Sequence, residues 1–319
     1  MDTHALSHEI NAYDLSSCII HYRNELIYLY EKSKQASSQV MPINSCTKSV
    51  LSALICIAMN QGLVAAPNTL ISHYFPQLQH EQDERKLMIS IEHLLTLTAG
   101  FQWTEFGGIN SFPAMTRSSD WIQYTLAQPM TDIPGTRMVY NSGVSQLLAA
   151  ILVQATGMEI SRFAELNLFK PLGIEQYDWR CDPQGIHTGG FGLQLSAYDL
   201  LKFGLLYLHK GVWHNQQLIS QDMVECSTNC AIAVAPPEKG FYGWHWWSDD
   251  VPVTIIQNHS APVDLHYYYA RGFGGQFIII VPSLETVVIL TRKQRKKGLL
   301  PLDLFRQHIA PALVKIGRG

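Results

Sequence analysis

Asn44-Ser45-Cys46-Thr47-Lys48-Ser49 joins an irregular polar run to an apolar helical pattern. From Thr47 to Gln61 the positions Leu51, Leu54, Ile55, Ala58 and Met59 keep the spacing of one helix face, and Gly62 stands where such a helix ends. Ser45 therefore opens a buried helix, with Lys48 three residues on and on the same face. A serine hydroxyl is a poor nucleophile until a neighbouring base takes its proton. A lysine in a dry pocket can lose its own proton and serve as that base. The helix N-terminus favours the negative charge that develops nearby. S-x-x-K alone also describes a helix cap followed by a surface lysine, so the rest of the chain has to decide.

The 319 residues are 47% hydrophobic and 15% charged, which points to a sizeable core and away from disorder. The net charge is −3 and no basic stripe suggests a nucleic-acid partner. The one basic run, Arg292-Lys293-Gln294-Arg295-Lys296-Lys297, follows a strand pattern and reads as a solvated loop. No basic-then-apolar signal opens the chain and no run is long enough to span a membrane, so a cytoplasmic protein is expected. Cys18, Cys46, Cys56, Cys181, Cys226 and Cys230 are scattered as reduced thiols would be. Cys226 and Cys230 are helical neighbours, but no histidine pair with metal spacing accompanies them, and no metal or cofactor is expected.

Ser17 to Tyr22 and Glu25 to Tyr30 read as strands joined tightly at Arg23-Asn24. Short helical pieces follow, at Leu70 to Phe75 and Ser90 to Thr98. The loop Gly100-Phe101-Gln102-Trp103-Thr104-Glu105-Phe106-Gly107-Gly108 is the kind that lines pockets. Pro134-Gly135-Thr136 is a turn, and Val139-Tyr140-Asn141-Ser142-Gly143 leads into a second amphipathic helix that ends at Gly157. Later come a helix at Ala197 to Tyr207 and a strand-like aromatic stretch at Gly240 to Trp247. Strands at Tyr267 to Arg271, Gln276 to Val281 and Thr286 to Thr291 follow, then a terminal helix bent at Pro311. Strands at both ends and helices between them predict an α/β (α+β) chain with one antiparallel sheet flanked by helices. The sheet domain takes 1–90 and 185–319, and an inserted helical domain takes 91–184.

Three motifs stand in order: Ser45-Cys46-Thr47-Lys48, Tyr140-Asn141-Ser142, and Gly272-Phe273-Gly274-Gly275-Gln276 opening a late strand. Their order resembles that of the serine β-lactamases and penicillin-binding proteins, with their carboxylesterase and nylon-oligomer hydrolase relatives. His93-Leu94-Leu95-Thr96-Leu97-Thr98-Ala99-Gly100, Pro134-Gly135-Thr136, Leu168-Phe169-Lys170-Pro171-Leu172-Gly173 and Ser196-Ala197-Tyr198-Asp199-Leu200-Leu201-Lys202-Phe203 resemble further family segments. The resemblance runs from about residue 15 to 315 and is closest to the class C-like branch. It implies the β-lactamase/transpeptidase-like fold and an acyl-enzyme on Ser45. Lys48 and Tyr140 would share acid–base work, and the N–H groups of Ser45 and Gln276 would form an oxyanion hole.

The chain departs from the family pattern in two motifs, and in showing no export signal where cell-wall enzymes and most β-lactamases carry one. Ser142 stands where the second motif usually has Asn, and Phe273-Gly274-Gly275 where the third usually begins with Lys or His. Losing that cation weakens recognition of a β-lactam or peptide carboxylate. His187-Thr188-Gly189 spells H-T-G in the wrong place for a third motif, and Glu165 reads as a helix-surface residue rather than a deacylating base. His245 reads as a core or pocket-wall residue, and Trp244 is a candidate wall of the cleft. The expected activity is hydrolysis of a small-molecule ester or amide. A β-lactamase or D-alanyl-D-alanine carboxypeptidase is the rival, and a non-catalytic ligand-binding relative the second. The oligomeric state is not legible.

Overall fold

The computed structural model describes residues 3–229, 231–253, 263–293 and 300–317. After an N-terminal helix, α1 (Thr3–Ala12), the chain forms the expected hairpin of β1 (Ser17–Tyr22) and β2 (Glu25–Glu31). Arg23 and Asn24 both take positive φ, +46° and +67°, as a two-residue hairpin turn of primed type requires. The other strands of this sheet are β3 (Ile232–Ala233), β4 (Phe241–Tyr242), β5 (Trp247–Val253), β6 (Val263–Gly272), β7 (Gln276–Val281) and β8 (Thr286–Thr291). The order β2-β1-β8-β7-β6-β5-β4-β3 is antiparallel throughout, so the two chain ends meet where β1 pairs with β8, Ser17 opposite Thr291.

β7 and β8 are buried at every position, because helices cover both faces. Side chains alternate between the faces of a strand. Tyr268 points to α4 (Ala197–Leu208) and donates to Tyr207 O at 3.2 Å. Tyr267 points the other way, against Phe305 of the C-terminal helical segment. α4 lies close on the sheet at Gly204, where a Cβ would come within 2.7 Å of Val287 Cγ1. The C-terminal segment runs Pro301–Leu304 and Ala310–Gly317 with a π turn at Phe305–Ile309 between them. The irregularity precedes Pro311, which lacks the N–H that would continue the α-helical ladder.

The two long helices expected from periodicity are α2 (Thr47–Asn60) and α3 (Ser142–Thr156), which pack against each other. α3 is capped by Asn141, whose carboxamide oxygen accepts from Gly143 N and Val144 N, and it ends at a left-handed Gly157. A small second sheet joins Met41–Pro42, Leu193–Leu195 and Asp178–Trp179 below the start of α2. Gly240 to Trp247 is not one strand. β4 ends at Tyr242, and the chain turns through Gly243-Trp244-His245-Trp246 with His245 left-handed at φ +60° before β5 begins. Gly272 to Gln276 opens β7 at Gln276 as expected, and Phe273 to Gly275 form the hairpin turn from β6, with Gly274 and Gly275 at φ +85° and +105°.

Among the described residues no single helix is long and apolar enough to cross a membrane. Cys230, residues 294–297 of the basic run, and 254–262 lie outside the described residues.

Candidate active site

The approach to α2 is built around an unusual residue. Asn44 sits at φ +50°, a left-handed conformation that asparagine tolerates better than most residues. Its carbonyl accepts from Thr47 Oγ1 at 2.6 Å, and its side-chain amide donates to Phe273 O at 2.6 Å. A 3₁₀ turn, Asn44–Cys46, then runs into α2. Ser45 is partly exposed, whereas Cys46, Thr47 and Lys48 are buried. Two hydroxyls fasten the first turns of the helix: Ser49 donates to His245 O at 2.7 Å and Ser52 to Trp244 O at 2.8 Å.

Lys48 is 1% exposed. Its Nζ donates to Ser142 Oγ and to Gly190 O, both at 2.9 Å, and lies 4.7 Å from the centre of the Tyr140 ring. Both hydrogen-bond partners are neutral. Burial pushes the ammonium down to about 8, against the opposing pull of Glu105 and Cys46. The Gly190 carbonyl is delivered by a docked loop: Gly189 N donates to Gln146 Oε1 at 2.9 Å, and Gln146 Nε2 donates to Asp182 at 2.9 Å. No side chain fits at Gly189, where a Cβ would meet Ser145 O at 2.1 Å.

The Tyr140 hydroxyl faces the Ser45 side chain, which opposes the rise of its pKa. Its ring stacks on Trp247 at 6.0 Å, and Arg271 lies over the other ring of that pair, 5.8 Å from the Trp247 centre. Burial raises the phenol well above its usual range and the charge of Glu105 adds to this, while Ser45 and Arg271 oppose it. Tyr140 therefore keeps its proton at neutral pH.

Ser45, Lys48, Tyr140 and Ser142 thus come together, and Phe273, Gly274 and Gly275 form the hairpin tip beside them. Gly272 is pressed so close that a Cβ would meet Ile43 O at 2.2 Å. Gln276 follows the tip as the first residue of β7. It pairs with Gly272 across the hairpin, its carbonyl accepts from Cys46 Sγ, and its amide donates to Arg292 O. Phe273 is the turn residue tied to the serine loop. Trp244 is 4% exposed in the turn at Gly243 to Trp246, and Trp247 is the tryptophan stacked against Tyr140. His245 is buried, with Nε2 3.2 Å from Ser145 Oγ, and burial together with Lys48 drives its pKa well down. Glu165 bonds Tyr177 and Arg162 on the surface.

Two contributors escaped the sequence reading. Gly190 acts through its carbonyl, for which no side-chain signal exists. Glu105 was in view only as part of a glycine- and aromatic-rich loop. Its carboxylate accepts from Ser142 N at 3.0 Å, from Ser142 Oγ, and from Trp103 Nε1 at 2.9 Å.

The Beta-lactamase family profile matches residues 28–307. The chain belongs to that family. AmpH of Escherichia coli, a D-alanyl-D-alanine-carboxypeptidase/endopeptidase, is 26% identical over 147 residues, a match covering 45% of this chain and 38% of AmpH. The fold of this β-lactamase family member is that of a penicillin-binding protein homologue from Pyrococcus abyssi (TM-score 0.75, 17% identity, 98% of this chain and 78% of that one). It is equally that of a β-lactamase/D-alanine carboxypeptidase from Pseudomonas syringae (TM-score 0.71, 16% identity, 96% of this chain and 98% of that one).

Proposed function

We propose that this β-lactamase family member is a serine hydrolase that cleaves a small-molecule ester or amide through an acyl-enzyme on Ser45. The observation that carries the reading is a buried lysine one helical turn after Ser45 and 4.7 Å from the Tyr140 ring, whose two hydrogen-bond partners are both neutral. As the Ser45 oxygen attacks the substrate carbonyl carbon, its proton passes to the free amine of Lys48. The N–H groups of Ser45 and Gln276 hold the oxyanion. The Tyr140 hydroxyl stands against Ser45, where it protonates the leaving group as the carbonyl reforms, and the Lys48 ammonium restores the phenol proton and becomes a free amine again. Water then attacks the acyl-enzyme, releases the acid and returns the serine.

Ester or amide is favoured over β-lactam by the hairpin tip. Phe273 brings a half-exposed ring there in place of a cation, with the Phe106 ring 6.2 Å away. Of the cations near the tip, Arg271 is held by both oxygens of Glu238 at 3.0 Å, and Arg292 is buried with its side chain against Gly275. The likeness to AmpH supports the second reading, a peptidoglycan carboxypeptidase or β-lactamase. Short-chain p-nitrophenyl esters assayed beside a chromogenic cephalosporin separate the two. Ester cleavage that disappears in Ser45→Ala is expected, and strong cephalosporin turnover without ester cleavage would reverse the ranking.

A further inference from the structure

Ser142 poses a chemical problem. A hydroxyl both donates and accepts, unlike the carbonyl end of an amide. A Ser142 that donated its proton to Lys48 would occupy the lone pair the base needs. The surroundings settle the direction. Ser142 Oγ–H is taken by Glu105 Oε1, and the carboxylate, being acceptor-only, cannot reverse that bond. Ser142 N–H and Trp103 Nε1–H fix Glu105 through its other oxygen, at 3.0 and 2.9 Å. Toward Lys48, Ser142 can then only accept. Gly190 O can only accept as well. A neutral amine has two hydrogens and one lone pair. Both hydrogens are consumed by these acceptors, so the lone pair is left for the remaining tetrahedral direction.

We propose that Glu105 is a positioning residue for the base: by orienting the Ser142 hydroxyl it makes Lys48 point its lone pair at the reacting proton. The proposal rests on the serine-hydrolase reading and adds a residue that acts through another. Glu105 touches neither Ser45 nor Lys48 by hydrogen bond. Its second effect is electrostatic, since its charge opposes the burial that lowers Lys48. The other titratable or charged groups facing the lysine are Tyr140 ahead of α3, His245 in the turn before β5, and Cys46 on its own turn, with Arg271 of β6 beyond Tyr140. All of these remain in a Glu105→Gln variant.

That variant is isosteric, and its amide can donate to Ser142 and flip the chain. The expected result is a fall in kcat of about 10- to 100-fold with KM little changed, the scale for losing an outer orienting partner. The acidic limb of the kcat/KM profile should also move to lower pH, because an anion that favoured the ammonium is gone. A purely structural role would lower the plateau without moving the limb. In a Ser142→Ala background, Glu105→Gln should cost nothing further in kcat. An equal cost in both backgrounds would overturn the proposal. Titration of Lys48 Nζ by ¹⁵N-lysine NMR, assigned against Lys48→Arg, gives a readout that needs no turnover. A midpoint unmoved by Glu105→Gln would count against the proposal even if the wild-type protein hydrolyses nothing. Absent turnover with a shifted midpoint would instead sink only the hydrolase reading. Should Glu105→Gln fail to fold, Trp103→Phe, which removes one of the donors holding Glu105, is expected to give a smaller shift of the same sign, and no shift would overturn the proposal.

Discussion

Two lysines in this chain are buried to a similar degree and have opposite lives. Lys86, in the 3₁₀ turn Glu84–Met88, is 4% exposed and donates to Glu81 at 3.0 Å and to Leu126 O at 2.7 Å. Lys48 is 1% exposed and donates to a hydroxyl and a carbonyl, with the carboxylate of Glu105 one hydroxyl away. A carboxylate in direct contact pins an ammonium, and neutral acceptors leave its proton movable. Burial alone therefore does not make a base. The partner next to the nitrogen does, and the sequence distance between a lysine and its partner says nothing about which kind it has.

The strongest test of that contrast removes each amine in turn. Lys48→Ala should lose about 10³-fold or more in kcat, at the upper part of the range for acid–base groups, whereas Lys86→Met should leave kcat within about twofold. Equal losses would mean that both lysines serve the fold. Tyr140→Phe keeps the ring on Trp247 and removes the hydroxyl on Ser45, so a fall of about 10²-fold is expected at unchanged thermal stability.

Next in size is an attempt to turn one lysine into the other. Ser142→Asp combined with Glu105→Gln puts a carboxylate directly on Lys48 while removing the like charge beside it. In the wild type the amine is free above about pH 8, so kcat/KM should rise with pH through that value. The direct anion favours the charged form, and the rise should move up by about one pH unit or more. A rise that stays near pH 8 would break the comparison. In the other direction, Lys86→Met forfeits an ion pair and a bond to a buried carbonyl, and denaturant melts should record a loss of about 1–3 kcal/mol. The smallest effect is expected at the rim. Phe273→Ala removes the ring facing Phe106, and KM for aromatic or long acyl esters should rise by a few-fold, with kcat held.

Much of this arrangement was open to reading from the chain. The β1–β2 hairpin showed in alternating apolar residues around Arg23-Asn24, and α2 and α3 showed in their helical spacing, because burial of one face writes a period into the sequence. The S-x-x-K and Tyr140 motifs named the residues that the fold brings together. What stayed hidden has a common cause. Gly190 contributes a backbone oxygen, and backbone atoms carry no identity. Glu105 contributes a side chain whose meaning depends on a serine 37 positions later, a contact that only the fold creates. The aromatic run before β5 misled because its alternation stops at Gly243, where a left-handed His245 sends Trp244 into the core and Trp247 onto Tyr140. The glycines after Gly272 stand between the two strands, ahead of the one that opens at Gln276. Their positive φ values belong to a turn, and the hairpin meets the serine loop on both sides of it, at the Phe273 carbonyl through Asn44 and at the Gln276 carbonyl through Cys46.

The central claim is that Ser45 is a nucleophile served by a lysine free to shed its proton. Intact-protein mass spectrometry after brief exposure to a fluorophosphonate, repeated from pH 6 to 10 with peptide mapping, tests it most directly. The account predicts a single adduct on Ser45, absent from Ser45→Ala, whose rate of formation is half-maximal near pH 8 and collapses in Lys48→Ala. An unlabelled wild-type protein, or a Ser45 adduct formed equally fast without Lys48, would contradict it.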